Sequence, residues 1–314
     1  MAMNGAKRIL AVAIGPQQDN QIGANGAPGS VRPYVHGLIE GLGERGRQLG
    51  IDYEIAYRER SQTELAAKGS GLFAAKHQTP YDVIFAMSTN VVRAAKDSGD
   101  PTPIVGVVSA PADEHFNRVR NFTGISARRS QTAGQCFEYF LATVPTLKRV
   151  RVLHKPGYGP SDRSLKLVRA AAKKRGVAID VVAINNRGDI EKKLKAMPKR
   201  DLKKPAEVGV QLLPVDLLLG ASQLIIDLAQ GQKNLPTFSP ITDFVRSDPD
   251  GALGGYGVPQ HTCGVLMADY VDQIVWHSAA PRSLKFTDAE IDDFKWVISR
   301  EAAQALNIRL PDMV

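Results

Sequence analysis

The stretch "RVRVLHKPGYGPSD", residues 149–162, contains a strand, a tight loop and the start of a helix. Basic and apolar residues alternate in "RVRVLH", which is typical of a β-strand. The Pro-Gly-Tyr-Gly-Pro sequence cannot continue that strand, and Ser161 is then expected to open a helix. A strand that leads through a short loop into a helix is the basic unit of a parallel α/β sheet.

The same order of elements recurs along the whole chain. Short apolar runs predict strands at residues 8–14, 52–57, 82–87, 103–108, 121–125, 149–154, 178–184 and 208–213. Amphipathic segments lie between them, and in one of these Val31, Val35, Leu38 and Leu42 recur at helical spacing. Strands that alternate with helices predict an α/β protein with parallel sheets.

The two halves of the chain also resemble each other. Each half has a strand, a helix and a glycine followed by another strand: "QLGIDYEIAY" at Gly50 and "KRGVAIDVVAI" at Gly176. The first half is longer because of the loop "GPQQDNQIGANGAPGS", residues 15–30. Two similar α/β halves predict two lobes facing a cleft, with ligands bound at the carboxyl ends of the strands.

Composition sets broad limits on the class of protein. The chain has 314 residues, 43% of them hydrophobic and 23% charged, which is enough for two lobes with separate cores. The sequence has no apolar run long enough to span a membrane. The apolar run at residues 9–15 is short, and we interpret it as the first strand rather than a leader; the leader of an exported protein would lie outside this sequence.

The formal net charge is +8, and the densest basic zone is "KKLKAMPKRDLKK", residues 192–204. Such a zone could contact nucleic acid or an anionic membrane. However, no zinc-finger spacing, aromatic RNA-binding pattern or helix-turn-helix signal accompanies it. We therefore expect a solvated helix end and loop, and no nucleic-acid partner.

Signatures of catalysis and of cofactor binding are missing from the sequence. "GLGERG", residues 41–46, fits the dinucleotide-binding pattern, but it lies inside a helical segment and does not follow a strand. No two histidines are four residues apart, and the two cysteines, Cys136 and Cys263, are expected to be buried thiols. We predict no catalytic residue, metal or cofactor. A discontinuous active site in a cytosolic α/β enzyme stays open as an alternative.

Candidate ligand-binding residues follow the predicted strands of the first half. Gln17 follows the first strand, Ser88 and Thr89 follow residues 82–87, and Ser109 and Ala110 follow residues 103–108. Ser88 and Thr89 precede a helix, so the amide groups behind them could bind a carboxylate. Simple capping of that helix is an equally good interpretation of the two hydroxyl groups.

The second half offers Lys155, Tyr158, Ser161 and Asp216 at the matching places. Tyr158 stands between two glycines and two prolines, where an exposed aromatic ring needs a stacking partner. Lys155 either pairs with an acidic group of the ligand or stays in water. Asp216 either contacts the ligand or caps the following helix.

Several segments resemble a known family. "VLHKPGYGPS" is similar to "VLYNPxxPxS" of ABC-transporter substrate-binding proteins in the tryptophan/tyrosine-uptake-like group. "YDVIFAMSTNVVRAAK", "TPIVGVVSAPAD", "NFTGIS" and "GALGGYGVPQHTCGVLMADYVDQI" resemble further segments of that family in the same order. The resemblance extends from about Tyr81 to the end of the chain.

The resemblance implies a type I periplasmic-binding-protein fold: two Rossmann-like lobes with parallel sheets, joined by a three-strand hinge that closes around the ligand. By the family pattern, residues 1–126 plus 251–281 form the N-terminal lobe and residues 127–250 plus 282–314 the C-terminal lobe. The implied partners are a small-molecule solute and the transmembrane subunits of an ABC permease. A periplasmic or extracytoplasmic location and a monomer are also expected.

The resemblance also assigns roles to residues. The helix-start threonine of the family corresponds to Thr89, or to Ser88 if the loop shifts by one residue. The family's Tyr-Asn before the proline is His154-Lys155 here, and its "LPD" is the longer "LPVD" that ends at Asp216. Lys155 and the long loop at residues 15–30 suggest a ligand that differs from the aromatic amino acids.

The main hypothesis is therefore a receptor for a small amino-acid-like or carboxylate-bearing solute. Ser88 or Thr89 would hold the carboxylate and Ser109 would donate or accept a hydrogen bond. Tyr158 would stack on the solute, and Asp216 would pair with an ammonium group. Besides the enzyme, the effector-binding domain of a transcriptional regulator is an alternative function.

Overall fold

The computed structural model describes residues 6–14, 18–22, 32–67, 73, 80–109, 116 and 119–311. Two residues predicted to bind the ligand, Gln17 and Ala110, lie outside the described residues. The strands are β1 Lys7–Ile14, β2 Gln18–Ile22, β3 Tyr53–Arg60, β4 Val83–Ala86, β5 Ile104–Val108, β6 Phe122–Ser126, β7 Arg149–His154, β8 Ala178–Ala183, β9 Val208–Leu212, β10 Thr237–Ser239, β11 Gly254–Gly257, β12 Thr287–Asp288 and β13 Lys295–Ile298. The helices are α1 Pro33–Glu44, α2 Gln62–Ala66, α3 Thr89–Asp97, α4 Ala133–Thr143, α5 Gly159–Arg175, α6 Arg187–Lys195, α7 Asp216–Leu219, α8 Ser222–Ile226, α9 Gln260–Val275 and α10 Arg300–Ala305.

The chain divides into two compact units. The first unit contains residues 1–127 and 260–289, and the second contains residues 128–259 and 290–314. Each boundary lies somewhat later in the chain than the sequence suggested. In particular, residues 251–259 were expected in the first lobe but belong to the second unit, because β11 pairs with β10 and β13 there.

The first unit is built on a seven-stranded sheet with the order β12-β6-β5-β4-β1-β3-β2. All neighbours are parallel except β2, which pairs antiparallel with β3 at one edge. The central strand β1 is buried from Ile9 to Ala13, as expected of a parallel strand covered on both faces. The sequence suggested a loop over residues 15–30, and this was wrong for β2, whose backbone pairs with β3.

The second unit is built on a six-stranded sheet with the order β13-β11-β10-β9-β7-β8. Its strands are parallel except β13, which runs antiparallel to β11. The central strands β7 and β9 are largely buried, whereas the edge strand β8 keeps Val181 exposed. The prediction of an α/β protein with two parallel sheets is confirmed for both units.

Helices α1 and α9 pack closely in the first unit because glycines line their contact. A Cβ atom at Gly37 would overlap the carbonyl oxygen of His261, and one at Gly264 would overlap that of Tyr34. Gly41, the first glycine of "GLGERG", faces Ala268 of α9. The pattern therefore serves helix packing, and the sequence-based rejection of a dinucleotide site is consistent with its place inside α1.

The glycines that suggested an internal repeat have the same conformation in both units. Gly50 has φ 79° and Gly176 has φ 66°, and each stands between a helix and the next strand. Gly176 is the C-cap of α5 in the left-handed conformation, which only glycine adopts at little cost. Only Gly176 ends its helix directly, because the C-cap residue of α1 is Arg45 and the positive-φ glycine that follows it is Gly46.

The start of α5 differs from the prediction. The helix begins at Gly159, so Pro160 and Ser161 lie in its first turn, and Tyr158 is the N-cap residue. Proline is tolerated in the first turn because the amide groups there have no partner within the helix. Ser161 therefore lies inside the helix and does not open it.

Candidate functional site

Residues Ser88 and Thr89 lie where β4 ends and α3 begins. Ser88 is the N-cap residue, and its Oγ accepts a hydrogen bond of 3.3 Å from the N–H of Val91. The hydroxyl of Ser88 thus satisfies one of the amide groups that a helix leaves without an internal partner. The capping interpretation holds for Ser88.

Thr89 has a different role from Ser88. Its side chain is only 3% exposed, and its Oγ1 accepts a hydrogen bond of 3.1 Å from the N–H of Ser109. Ser109 directly follows β5, the neighbour of β4 in the sheet. The structure therefore brings three predicted residues together at the carboxyl edge of the first sheet: Ser88, Thr89 and Ser109.

A buried charged cluster at the same edge was missed by sequence reasoning. Glu59, near the end of β3, is 4% exposed and accepts a 2.5 Å hydrogen bond from the Tyr57 hydroxyl. The guanidinium of Arg32 donates to the same carboxylate at 2.9 Å and to the carbonyl of Ile14 at 3.0 Å. Burial and the bond to Glu59 raise the pKa of Tyr57.

A signal for this cluster existed in the sequence. Tyr53, Ile55, Tyr57 and Glu59 alternate along β3, and all four are buried. A period of two therefore places Glu59 on the buried face of its strand. A glutamate in such a position requires a partner, because burial of an unpaired carboxylate is costly.

The loop after β7 is fixed by two hydrogen bonds in the second unit. Nε2 of His154, which is 7% exposed, lies 2.7 Å from Oδ1 of Asp162. The N–H of Lys155 donates to Oγ of Ser161 at 3.1 Å. Both bonds join the end of β7 to the first turn of α5, and so they hold the intervening residues 156–158 in place.

Lys155 and Tyr158 contact each other on this loop. The ammonium group of Lys155 lies 5.7 Å from the centre of the Tyr158 ring, which is within range of a cation–π contact. Both residues are partly exposed. The structure therefore places a positive charge and an aromatic ring side by side on this loop.

Ser161 and Asp216 match their predicted roles less well. Ser161 is fully buried and uses its hydroxyl to hold Lys155, so it positions the loop. Asp216 is the first residue of the short helix α7, with Val215 as the N-cap residue, and it is partly exposed. Asp216 follows β9, which neighbours β7 in the sheet, so it lies at the same edge of the second sheet as the loop after β7.

The cysteines are buried as expected. Cys136 and Cys263 are both fully buried, and both are thiols that form no disulfide. Burial raises the pKa of the Cys136 thiol to about 12, and its Sγ lies 3.6 Å from the carbonyl oxygen of Ser239. Such a thiol is a packing group rather than a nucleophile, because the reactive thiolate is scarcely populated.

Metal sites and membrane-spanning helices can be assessed for the part of the chain that the structure describes. There, no group of three His, Cys, Asp or Glu residues is arranged to hold a metal ion. None of the helices in the same residues is both long enough and apolar enough to cross a membrane.

Comparison with known proteins identifies the family to which the chain is similar. A family model described as ABC transporter substrate binding protein matches residues 28–314. No curated protein matches the chain.

Solved structures share the fold at low sequence identity. A conserved domain protein from Vibrio cholerae is 21% identical with a TM-score of 0.73, covering 98% of this chain and 97% of the other. An ABC domain in complex with L-Trp from Streptococcus pneumonia is 18% identical with a TM-score of 0.72, covering 98% and 96%. A substrate-binding protein with adhesive properties from Clostridium difficile, in its ligand-free, open form, is 17% identical with a TM-score of 0.60, covering 98% and 97%.

Proposed function

Because the chain belongs to the family of ABC transporter substrate-binding proteins, we propose that it captures a small amino-acid-like or other carboxylate-bearing solute. Membership of this family implies two partners, the solute and the permease of an ABC importer. Family membership gives the general function, whereas the class of solute is proposed from the residues of the site. It is supported chiefly by the arrangement of Thr89 at the start of α3.

The carboxylate of the solute binds at the N-terminus of α3. This helix spans Thr89–Asp97, and the amide groups of its first turn point toward its start, where they attract an anion. Thr89 and Ser109 are held together by their 3.1 Å hydrogen bond, so two hydroxyl groups flank the helix start. In this proposal Thr89 uses its hydroxyl proton for the carboxylate while its oxygen accepts from Ser109.

The body of the solute stacks on Tyr158. The ring is held by a loop that two hydrogen bonds fix, so little conformational entropy is lost when the ring contacts a ligand. Lys155 beside the ring adds a positive charge that favours an acidic group on the solute. The L-Trp bound by the Streptococcus pneumonia protein is an amino acid with an aromatic body, which agrees with this class.

Three further elements of the proposal follow the family resemblance. Asp216, at the start of α7, pairs with an ammonium group when the solute has one. The protein acts outside the cytoplasm, where importers of this type collect their solutes. It works as a monomer.

The experiment is a binding measurement with matched solutes. Isothermal titration of the purified protein would compare L-tryptophan, L-tyrosine, indole-3-propionate, which lacks the amine, and tryptamine, which lacks the carboxylate. We expect binding by the carboxylate-bearing compounds and none by tryptamine. Because a ligand that binds only the folded state stabilises it, the same compounds should raise the melting temperature.

Variants then test the residues. Thr89→Val removes the hydroxyl and keeps the shape, and we expect it to weaken binding at least about tenfold, or about 1.4 kcal/mol. Thr89→Ser keeps the hydroxyl and should retain most of the affinity. Equal affinity of the wild type and Thr89→Val would refute the carboxylate assignment, and binding of tryptamine alone would refute the solute class.

A further inference from the structure

A cavity lies within the second unit, at the opposite edge of its sheet from Lys155 and Tyr158. It has a volume of about 450 Å³ and is lined by residues at the amino-terminal ends of β7, β9 and β10, together with the loop that follows α6. Arg151 lies in β7, Val208 is the first residue of β9, and Leu235 comes shortly before β10. Pro198 and Pro205 lie at the two ends of the loop segment. A volume of this size suits a small organic molecule.

The cavity is rich in positive charge. Arg151, Lys199, Arg200 and Lys204 line it, against two acidic residues, Asp201 and Glu207. Arg151 is paired with Asp180 at 3.9 Å, so the lysines and Arg200 carry the excess charge. Three of these cations belong to the basic zone at residues 192–204, which the solute-binding proposal leaves without a role. The zone therefore borders a concave site, in addition to forming a solvated surface as the sequence suggested.

Neither acidic residue forms an ion pair with Lys199 or Lys204 in the part of the chain that the structure describes. The carboxylate of Glu207 forms an ion pair of 2.5 Å with Lys148, and Oδ1 of Asp201 accepts a hydrogen bond of 2.9 Å from the N–H of Lys203. Within the described part of the chain, the ammonium groups of Lys199 and Lys204 have no hydrogen-bond or ion-pair partner, and both residues are exposed.

Arg200 lines the cavity, and three hydrogen bonds hold its guanidinium group in position. Its guanidinium donates to the carbonyl oxygens of Leu306 at 2.9 Å, Lys204 at 3.0 Å and Asn234 at 3.3 Å. Partial burial lowers the pKa of Arg200. These three partners are neutral carbonyl groups that fix the position of the cation, and the nearby carboxylate of Asp201 offsets part of its charge.

The rest of the lining is apolar. Pro198, Pro205, Val208 and Leu235 contribute hydrocarbon surface, and Leu235 is nearly fully buried. Apolar walls that converge with a few fixed charged groups are the usual composition of a site for a small organic ligand. A bare inorganic anion would leave these apolar walls in contact with water.

From the cavity, its cationic rim and its apolar walls, we propose that the second unit binds an organic anion with an apolar body at the amino-terminal edge of its sheet. The anionic head lies between Lys199, Lys204 and Arg200, and the apolar body lies against Val208 and Leu235. This site is separate from the proposed solute site, because the five residues of β9 span roughly 16 Å between the two edges of the sheet. The proposal stands or falls independently of the proposed transport function.

The test uses three probes that separate charge from apolar contact. Phenyl phosphate has both features, inorganic phosphate has only the charge, and benzyl alcohol has only the apolar ring. Titrations of the full chain, followed by amide NMR shifts, should show phenyl phosphate binding at least tenfold more tightly than either other probe. The shifted signals should include those of Val208 and Leu235.

A charge-matched pair of double variants identifies the site. Lys199→Ser with Lys204→Ser should weaken phenyl phosphate binding at least tenfold. Lys173→Ser with Lys174→Ser removes the same charge from exposed positions on α5 and should change the affinity less than twofold. Thr89→Val, in the first unit, should leave it unchanged.

Three results would overturn the proposal. The first is equal affinity for phenyl phosphate and inorganic phosphate, which would indicate attraction by charge alone. The second is an equal loss of affinity in both double variants, which would indicate an effect of net charge. The third is loss of phenyl phosphate binding in Thr89→Val, which would place the probe at the proposed solute site.

Discussion

Nε2 of His154 lies 2.7 Å from Oδ1 of Asp162, and this contact joins the last residue of β7 to the first turn of α5. His154 is nearly buried, whereas the side chain of Asp162 is half exposed. The pair closes the loop that holds Tyr158, and the bond from the N–H of Lys155 to Ser161 closes it a second time. The position of the Tyr158 ring therefore depends on residues that need not contact a ligand.

Asp162→Ala should destabilise this loop. It leaves a ring nitrogen of the buried His154 without its acceptor, at a cost of about 1 kcal/mol. Asp162→Asn keeps an oxygen at the same place and should cost less, and both variants remove the same charge from the first turn of α5. Urea unfolding measures the difference. Equal losses in the two variants would mean that the charge matters and the hydrogen bond does not.

Gly124→Ala should destabilise the first unit strongly. Gly124 has φ 149°, and a Cβ atom there would overlap the carbonyl oxygen of Gly106 on the neighbouring strand β5. We expect a loss of about 3 kcal/mol or more, seen as a lower melting temperature or a lower soluble yield. Gly43→Ala is the control. It lies in α1 with open space around it, and the change should stabilise the protein by up to about 1 kcal/mol.

Arg32→Met should destabilise the first unit, because it leaves the buried carboxylate of Glu59 without its cationic partner. The carboxylate would keep only the hydrogen bond from Tyr57, and we expect a loss of about 2–3 kcal/mol in the free energy of unfolding. Arg149→Met breaks an ion pair with Asp180 in which both side chains are well exposed, and it should cost less than about 1 kcal/mol.

A second substitution checks the cause of that loss. Adding Glu59→Gln to Arg32→Met removes the unpaired charge and should recover part of the stability. If the double variant is no more stable than Arg32→Met alone, the buried carboxylate is not the source of the destabilisation.

The two cysteines should be inert in the folded protein. Burial raises the pKa of Cys136 to about 12, so almost no thiolate forms at pH 8, where a free thiol reacts readily. A thiol-specific reagent such as Ellman's reagent should label neither Cys136 nor Cys263 in the native protein and both in concentrated guanidinium chloride. An added Lys173→Cys, on the exposed end of α5, should react at once and serves as the control. Rapid labelling of the native wild type would contradict the burial of these thiols.

Much of the fold was predictable from local patterns. The interior strands β1, β4 and β5 are largely apolar runs, because a buried parallel strand needs apolar side chains on both faces. These strands and the more polar β7 and β9 were each placed to within about two residues. Edge strands lack that signal. The polar strand β2, "QDNQI", is joined to the sheet by backbone pairing with β3, and its sequence alone does not indicate a strand.

The candidate site was predictable to a similar extent. Residues after neighbouring parallel strands meet at one edge of the sheet, and this brought Ser88, Thr89 and Ser109 together as expected. The contact between His154 and Asp162 was not predicted. It depends on where α5 begins, and the helix starts at Gly159 rather than Ser161.

The sequence by itself determined the α/β class, the order of the interior strands with helices between them, and two glycines with positive φ that precede a strand. Each of these follows from periodicity or from the φ that a residue can adopt, which are local properties of the chain. Only the tertiary structure decided that residues 251–259 belong to the second unit, that Glu59 is paired with Arg32, and that the basic zone at residues 192–204 borders a cavity. These depend on contacts between segments distant in sequence, whose partners no local pattern specifies.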